Sequence, residues 1–177
     1  IEWYRAGAQL EDIAADCEAI LEVAARAAGT WPTVAVPAGR GMQGKQLPVQ
    51  APFERLTVRG ALDRYAGIPL RGDESLVEMR RLAAAAGCNL GGATSWDDIF
   101  FQIFLDKVEP RLGVHQPTFV FDWPLPLAAL ARPKDDDPLT VERFELYAAG
   151  LELANAFGEL CDPAEQRARF VAEAELR

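Results

Sequence analysis

The order of apolar and polar residues predicts a long helix near the beginning of the chain. Over 10–28, apolar side chains recur at the spacing of one helix face, and Gly29 and Pro32 then interrupt the pattern. The apolar positions of this face are Leu10, Ile13, Ala14, Cys17, Ile20, Leu21 and Ala24. We therefore predict an amphipathic helix that turns this face towards the core.

Shorter helical patterns occupy the middle of the chain. They cover 57–66, 75–86 and 95–108. The last of them begins at Ser95 and Asp98, which form an approximate capping box. These patterns predict a small group of helices between the first helix and the C-terminal part of the chain.

The connection over 30–52 is rich in proline and has no hydrophobic period. Its segment GRGMQGK, 39–45, has the glycines and the lysine of a phosphate loop. It lacks the Gly-Lys-Ser/Thr ending and a following helix, which a phosphate loop requires. We interpret 30–52 as a mobile loop.

After Pro110 the pattern becomes strand-like. The run PTFVFDWP, 117–124, is aromatic and β-branched and is bounded by prolines. The run RFELYAAGLELANAF, 143–157, contains two strand-like stretches about a central Ala-Ala-Gly. We expect these strands to be antiparallel neighbours in one sheet.

A closing helix is predicted from its start signals. Asp162 is suited to the N-cap, Pro163 to the first turn and Glu165 to a carboxylate position near the helix start. We expect this helix to continue through Arg177.

Composition limits the size and class of the protein. The chain has 177 residues, of which 50% are hydrophobic, enough for one domain with a sizeable core. Its net charge of −9 and pI near 4.7 argue against a surface that neutralises many phosphates. The chain begins at Ile1 without a methionine, in the apolar and aromatic segment IEWYR, so we expect it to be part of a longer protein.

The cysteines and the absence of long apolar runs indicate the cellular environment. Cys17, Cys88 and Cys161 are far apart and form no CxxC pair, so neither a disulfide framework nor a zinc site is predicted. No apolar run approaches the roughly 20 residues that cross a bilayer. We expect a soluble cytoplasmic protein without a membrane partner.

Acidic residues recur in the predicted strand pair. If its two strands pair about Ala148 and Ala149, Glu145 faces Glu152 directly, or diagonally if the turn shifts by one residue. Like charges so placed need a cation, and Mg²⁺ takes one or two carboxylates together with phosphate oxygens. The alternative is that both glutamates lie on a solvated sheet face. Glu142 lies outside this pattern and is interpreted as a surface residue.

Asn155 and Glu159 continue the polar series into the apolar segment AFGEL. A buried carboxylate and amide require polar partners. Glu159 is suited to pair with an amine, and the amide of Asn155 can bond a carboxylate or an amine. The pattern favours a charged amino acid bound beside a nucleotide.

Taken together, RFELYAAGLELANAFGELCDPAEQRARF, PTFVFDWPLPLAALAR and IEWYR resemble the catalytic domain of class II lysyl-tRNA synthetases. Within that family they are most similar to the paralogue that ligates (R)-β-lysine or lysine to elongation factor P. The resemblance implies an α+β fold, with an antiparallel sheet flanked by helices. It makes 1–177 part of one catalytic domain, with a helical insertion over about 53–109.

The resemblance also implies roles for the polar residues. Glu145 and Glu152 match the carboxylates that hold Mg²⁺ on the phosphates of ATP, and Leu153 follows along the nucleotide. The residues that match the pocket for the lysine-like substrate are Glu2, Tyr4, Asn155 and Glu159. Ala156 stands where the family has glycine, which narrows the space beside the ligand.

The implied reaction joins lysine or (R)-β-lysine to ATP as an adenylate and passes the acyl group to a lysine of elongation factor P. Transfer to tRNA is the second hypothesis, and an inactive synthetase-like binding module is the third. The family's first two motifs should precede Ile1 and its third should follow Arg177. We therefore assign no catalytic side chain, expect this piece alone to be inactive, and expect the full-length protein to be a homodimer.

Two further polar features have ordinary interpretations. His115, in the loop segment GVHQP, is expected to be an exposed histidine. The acidic run 135–137 lies between prolines and is interpreted as a solvated turn, with a second metal site as the alternative.

Overall fold

The computed structural model describes residues 1–36 and 44–175 and has the expected α+β fold. Its main sheet has four strands in the order β3-β4-β5-β6, and a second sheet pairs β1 with β2. The strands are β1 Thr33–Ala35, β2 Gln46–Pro48, β3 Glu54–Thr57, β4 Thr118–Pro124, β5 Thr140–Ala148 and β6 Leu151–Phe157. The helices are α1 Leu10–Ala27, α2 Val58–Ala66, α3 Leu76–Ala85, α4 Trp96–Ile103 and α5 Pro163–Glu175.

The predicted helix starts are confirmed by their capping contacts. The hydroxyl of Ser95 accepts a hydrogen bond from the amide of Asp98 at 3.0 Å, and the Asp98 carboxylate accepts one from the amide of Ser95 at 3.0 Å. Asp162 accepts hydrogen bonds from the amides of Ala164 and Glu165 at the start of α5. Beyond α4, the chain continues as a π-helical turn, Phe104–Val108.

Two elements of the fold differ from the sequence prediction. The interpretation of 30–52 as a loop is wrong in part, because β1 and β2 form an antiparallel pair within it. The phosphate-loop candidate 39–45 lies largely outside the described residues. Strand β3 was not predicted; it pairs with β4 in parallel and leads directly into α2, which begins at Val58, within one residue of the predicted start. A four-residue strand is too short to show a reliable period.

The main sheet is covered on both faces, as an α+β fold requires. On one face, α1 packs against an aromatic cluster that includes Phe119, Phe121 and Phe144. On the other face, α2, α3 and α4 pack against a larger cluster to which Trp123 and Tyr147 belong. In the described part of the chain, no helix combines the length and the apolarity that crossing a membrane demands.

Candidate functional site

Strands β5 and β6 form the predicted antiparallel hairpin, but their register contains a bulge. Glu145 is paired with Asn155, and Tyr147 is paired with Glu152. The register shifts between these two pairs, so Leu153 is the extra residue of β6. Residues three apart in a regular strand point to opposite faces, and this bulge returns both Glu152 and Asn155 to one face.

Of the two arrangements expected for Glu145 and Glu152, the structure has the diagonal one and not the directly opposite one. Glu145 faces Asn155, and Glu152 is its diagonal neighbour on the same face. The two carboxylates still interact electrostatically, because the negative charge of Glu152 contributes to raising the pKa of Glu145. The bulge at Leu153 keeps the two glutamates on one face of the sheet. The position of this bulge could not be predicted from the spacing of the residues.

Glu145 is a buried carboxylate with two donors. Only 5% of the residue is exposed. It accepts a hydrogen bond from Nη2 of Arg143 at 2.6 Å and another from the hydroxyl of Tyr147. Burial raises its pKa, while Tyr147 and Arg143 oppose that rise by stabilising the charged form. A solvated sheet face is therefore excluded for Glu145, although Glu152 is exposed.

The sequence predicted a cation between the two glutamates, and the structure places Arg143 beside Glu145. Arg143 forms an ion pair with it at 2.6 Å, with 15% of its own side chain exposed. Sequence reasoning missed this residue, although its position two residues before Glu145 in a strand puts both on one face. Among residues 1–36 and 44–175, no group of three or more His, Cys, Asp or Glu side chains is arranged to hold a metal.

The donor set of the hairpin fits Mg²⁺ in the way the resemblance implies. Magnesium takes one or two protein carboxylates and completes its shell with water and phosphate oxygens. Glu145 and Glu152 supply such oxygens from one face of the sheet. Each oxygen of Glu145 accepts one hydrogen bond and keeps a further lone pair for a metal.

A cleft of about 810 Å³ runs along β6 and the N-terminal segment. Its lining includes the four side chains expected to bind the lysine-like substrate, Glu2, Tyr4, Asn155 and Glu159. The expectation that Asn155 and Glu159 are buried is wrong, because β6 is an edge strand of the sheet and both residues are exposed. The hydroxyl of Tyr4 donates a hydrogen bond to Glu2 at 2.9 Å. That bond and the charges of Glu2 and Glu159 raise the pKa of Tyr4. The structure thus brings together two carboxylates and a phenol, a set that attracts an amine.

The other residues implied by the resemblance lie close by. Leu153, expected along the nucleotide, is the bulged residue, and it also lines the cleft. Ala156 is paired with Phe144 and packs against the aromatic cluster under α1. Its methyl group also borders the cleft, at the position where the family glycine would leave more space.

An ion pair at the rim of the cleft was not predicted. Arg132 and Glu142 pair at 2.7 Å, and the backbone of Gly158 bonds to both residues. The interpretation of Glu142 as an ordinary surface residue is wrong, since its side chain is only 24% exposed. No local signal links residues ten positions apart across a loop, so the pair could not be predicted from spacing.

The remaining polar candidates, His115 and the acidic run 135–137, lie in loops. His115 is exposed in its loop. In the acidic run, Asp137 pairs with Arg59 at 2.5 Å and Asp136 with Lys134 at 3.8 Å. These ion pairs give the run its own cations, and the second metal site has no support.

The polar face of the β5–β6 hairpin lies beside a cleft whose lining includes carboxylates, and comparison with known proteins gives the family. A family model described as tRNA synthetases class II (D, K and N) matches residues 1–176. The chain belongs to the class II aminoacyl-tRNA synthetases, a family of ligases that use ATP and Mg²⁺.

Within that family the chain is similar to lysine–tRNA ligases. The protein of that name from Magnetococcus marinus is 40% identical over 139 residues, which cover 76% of this chain and 26% of the relative. The one from Gloeobacter violaceus is 38% identical over 135 residues, or 76% of this chain and 27% of the relative. The one from Nostoc punctiforme is 34% identical over 179 residues, or 100% of this chain and 30% of the relative.

These comparisons bear on the expected acceptor and on the extent of the protein. The chain spans only 26–30% of the length of these relatives. Their names support tRNA, the second hypothesis, better than elongation factor P. The acceptor expected first, elongation factor P, gains no support from these comparisons.

Proposed function

We propose that the complete protein activates lysine with ATP and transfers it to tRNA. The observation that carries this proposal is the face of the β5–β6 hairpin, where Glu145, Glu152 and Asn155 come together beside a cleft lined by further carboxylates. Similarity to lysine–tRNA ligases supports the choice of lysine.

The proposed first step is attack by the lysine carboxylate on the α-phosphorus of ATP. It forms lysyl-adenylate and releases pyrophosphate. Glu159 and Glu2 hold the side-chain ammonium of lysine, with Tyr4 hydrogen-bonded to Glu2, and Asn155 bonds the substrate through its amide. This positioning favours the reaction because most of the catalysis in such transfers is orientation and electrostatics.

Glu145 and Glu152 are the side chains that would hold Mg²⁺. When bound, Mg²⁺ neutralises charge on the phosphates of ATP. Glu145 is kept in place by Arg143 and Tyr147, while the exposed Glu152 can turn towards the nucleotide. Leu153 contributes an apolar contact beside the nucleotide in this proposal.

In the second step, a hydroxyl of tRNA attacks the acyl carbon of lysyl-adenylate, and AMP leaves. The chain is acidic, so the phosphates of tRNA would be held mainly by other parts of the protein. A cytoplasmic location and a homodimer belong to the same proposal, and the free thiols Cys17, Cys88 and Cys161 are consistent with a reducing compartment.

A charging experiment tests the acceptor. The full-length protein is incubated with labelled lysine and ATP, and with either tRNA or elongation factor P. We expect labelled tRNA and unlabelled factor. Labelling of the factor alone would replace the proposal with the elongation factor P ligase, and labelling of neither would favour an inactive binding module.

A further inference from the structure

Arg143 makes more contacts than charge balance alone requires. Nη2 donates to Glu145 at 2.6 Å, and Nη1 donates to the carbonyl oxygen of Leu127 at 3.1 Å. The guanidinium carbon lies 4.6 Å from the centre of the Trp123 ring. A carboxylate, a carbonyl and an aromatic face thus hold one guanidinium, a combination that suits arginine and not lysine.

The ring that supports this guanidinium is itself fixed. Trp123 is 1% exposed, and its Nε1 donates to the carbonyl oxygen of Val120 at 3.1 Å. The rings of Phe100 and Phe104 lie 6.0 Å and 5.3 Å from it, on the side of the insertion helices. The surface under Arg143 is therefore part of the packed core, where side-chain movement is restricted.

The orientation of Arg143 also leaves one polar group without a partner. Its Nε is buried and has no hydrogen-bond partner in the described structure. A buried unpaired N–H is unfavourable, so the contacts with Leu127, Glu145 and Trp123 must outweigh it. The side chain is oriented by these three contacts, one of which is the carboxylate expected to meet Mg²⁺.

We propose that Arg143 is a positioning residue for the nucleotide-bound metal. The guanidinium group of Arg143 fixes the direction of the Glu145 carboxylate. Its positive charge also balances the negative charge of Glu145, which lies beside Glu152. The inference rests on the proposed function, because it assigns Arg143 to the metal and ATP half of that site. It adds a residue that spacing and resemblance did not indicate.

Metal binding without turnover tests this role. The full-length protein is titrated with Mn²⁺, a paramagnetic substitute for Mg²⁺, in the presence of non-hydrolysable α,β-methylene-ATP, and free Mn²⁺ is measured by electron paramagnetic resonance. Removing a side chain that orients a metal ligand typically weakens metal binding about 10- to 100-fold. We expect a loss of that size in Arg143→Met and a smaller loss in Arg143→Lys, which keeps the charge but not the fork.

The matched control is Arg64→Met. Arg64 pairs with Glu54 at 2.8 Å, an arginine–glutamate pair at the surface whose glutamate lies in β3, two strands from β5. We expect this variant to bind Mn²⁺ as the wild type does. In pyrophosphate exchange, Arg143→Met should need more Mg²⁺ for half-maximal rate, while its KM for lysine stays unchanged, which general loss of structure would not produce.

The outcomes separate this inference from the proposed function. Wild-type Mn²⁺ affinity in folded Arg143→Met overturns the role of Arg143, whether or not the protein activates lysine. If Arg143→Met does not fold, wild-type affinity in Arg143→Lys overturns it. Weakened Mn²⁺ binding in a protein that exchanges with no amino acid leaves the role standing and contradicts the proposed function. Failure of the wild type to bind Mn²⁺ with the nucleotide contradicts both.

Discussion

Gly158 lies directly against the side chain of Glu142. A β-carbon at this glycine would be 2.5 Å from Oε2 of Glu142 and 3.0 Å from Nε of Arg132. The side chains of the ion pair therefore lie over the backbone just after β6, and a β-carbon at Gly158 would require their ends to move.

Gly158→Ala is expected to destabilise the protein. The methyl group must displace the ends of the Arg132 and Glu142 side chains, and disturbing a partly exposed ion pair of this kind costs about 0.2–1 kcal/mol. Urea denaturation of the full-length protein measures the change. Gly92→Ala is the control, because its β-carbon would meet no atom within 4 Å. Equal stability of the two variants would contradict the close approach.

Glu159→Gln is expected to weaken binding of lysine more than binding of ATP. The substitution keeps the shape of the side chain and removes the charge that the proposed function places opposite the substrate ammonium. Hydrogen bonds to charged groups contribute about 1.5–3 kcal/mol, which corresponds to a rise of about tenfold or more in KM for lysine. Steady-state exchange measures both constants, and Glu11→Gln on the exposed side of α1 is the control. An equal rise for ATP and lysine would show that Glu159 has another role.

Tyr147→Phe and Tyr4→Phe compare a buried with an exposed tyrosine–glutamate hydrogen bond. Tyr147 donates to the buried Glu145, and Tyr4 donates to Glu2 in an exposed position. Loss of a donor to a buried carboxylate costs about 1–3 kcal/mol, whereas loss of the exposed donor to Glu2 is expected to change the stability less. Denaturation curves should show a larger loss of unfolding free energy in Tyr147→Phe than in Tyr4→Phe. A larger loss in Tyr4→Phe would contradict the burial of Glu145.

The cysteines predict a difference in reactivity and a pH effect. Burial raises the pKa of the Cys17 thiol to about 11, while Cys161 is exposed. Because the unfolded thiol ionises near pH 9, the contribution of Cys17 to stability is present below that pH and is lost as the pH rises towards 11.

An aromatic disulfide reagent should label Cys161 in the native protein and Cys17 only after unfolding. Cys17→Ala should reduce the loss of stability between pH 9 and 11. Rapid native labelling of Cys17, or an unchanged pH profile in the variant, would contradict its burial.

Much of the fold could be predicted because its signals are local. The caps at Ser95 and Asp162 and the aromatic run of β4 depend on residues near in sequence. The bulge at Leu153 could not be predicted, since an extra residue in a strand is defined only by its partner strand.

The same distinction applies to the site. The resemblance indicated Glu145, Asn155 and Glu159, whereas the stacking of Arg143 on Trp123 joins residues from two strands. It becomes visible only when the sheet order is known. The Arg132–Glu142 pair was missed for the same reason. Arg132 lies in the loop between β4 and β5, and its contact with Glu142 of β5 depends on how that loop folds.

The most direct test of the central claim is lysine-dependent exchange of pyrophosphate into ATP. The full-length protein is assayed with lysine, (R)-β-lysine, arginine and leucine, beside Glu145→Gln as a variant of the metal-binding face. We predict exchange with lysine, no exchange with leucine, and strong loss of exchange in the variant. Absence of exchange with every amino acid, or full activity of Glu145→Gln, would contradict the assignment of this hairpin face as the site of lysine activation.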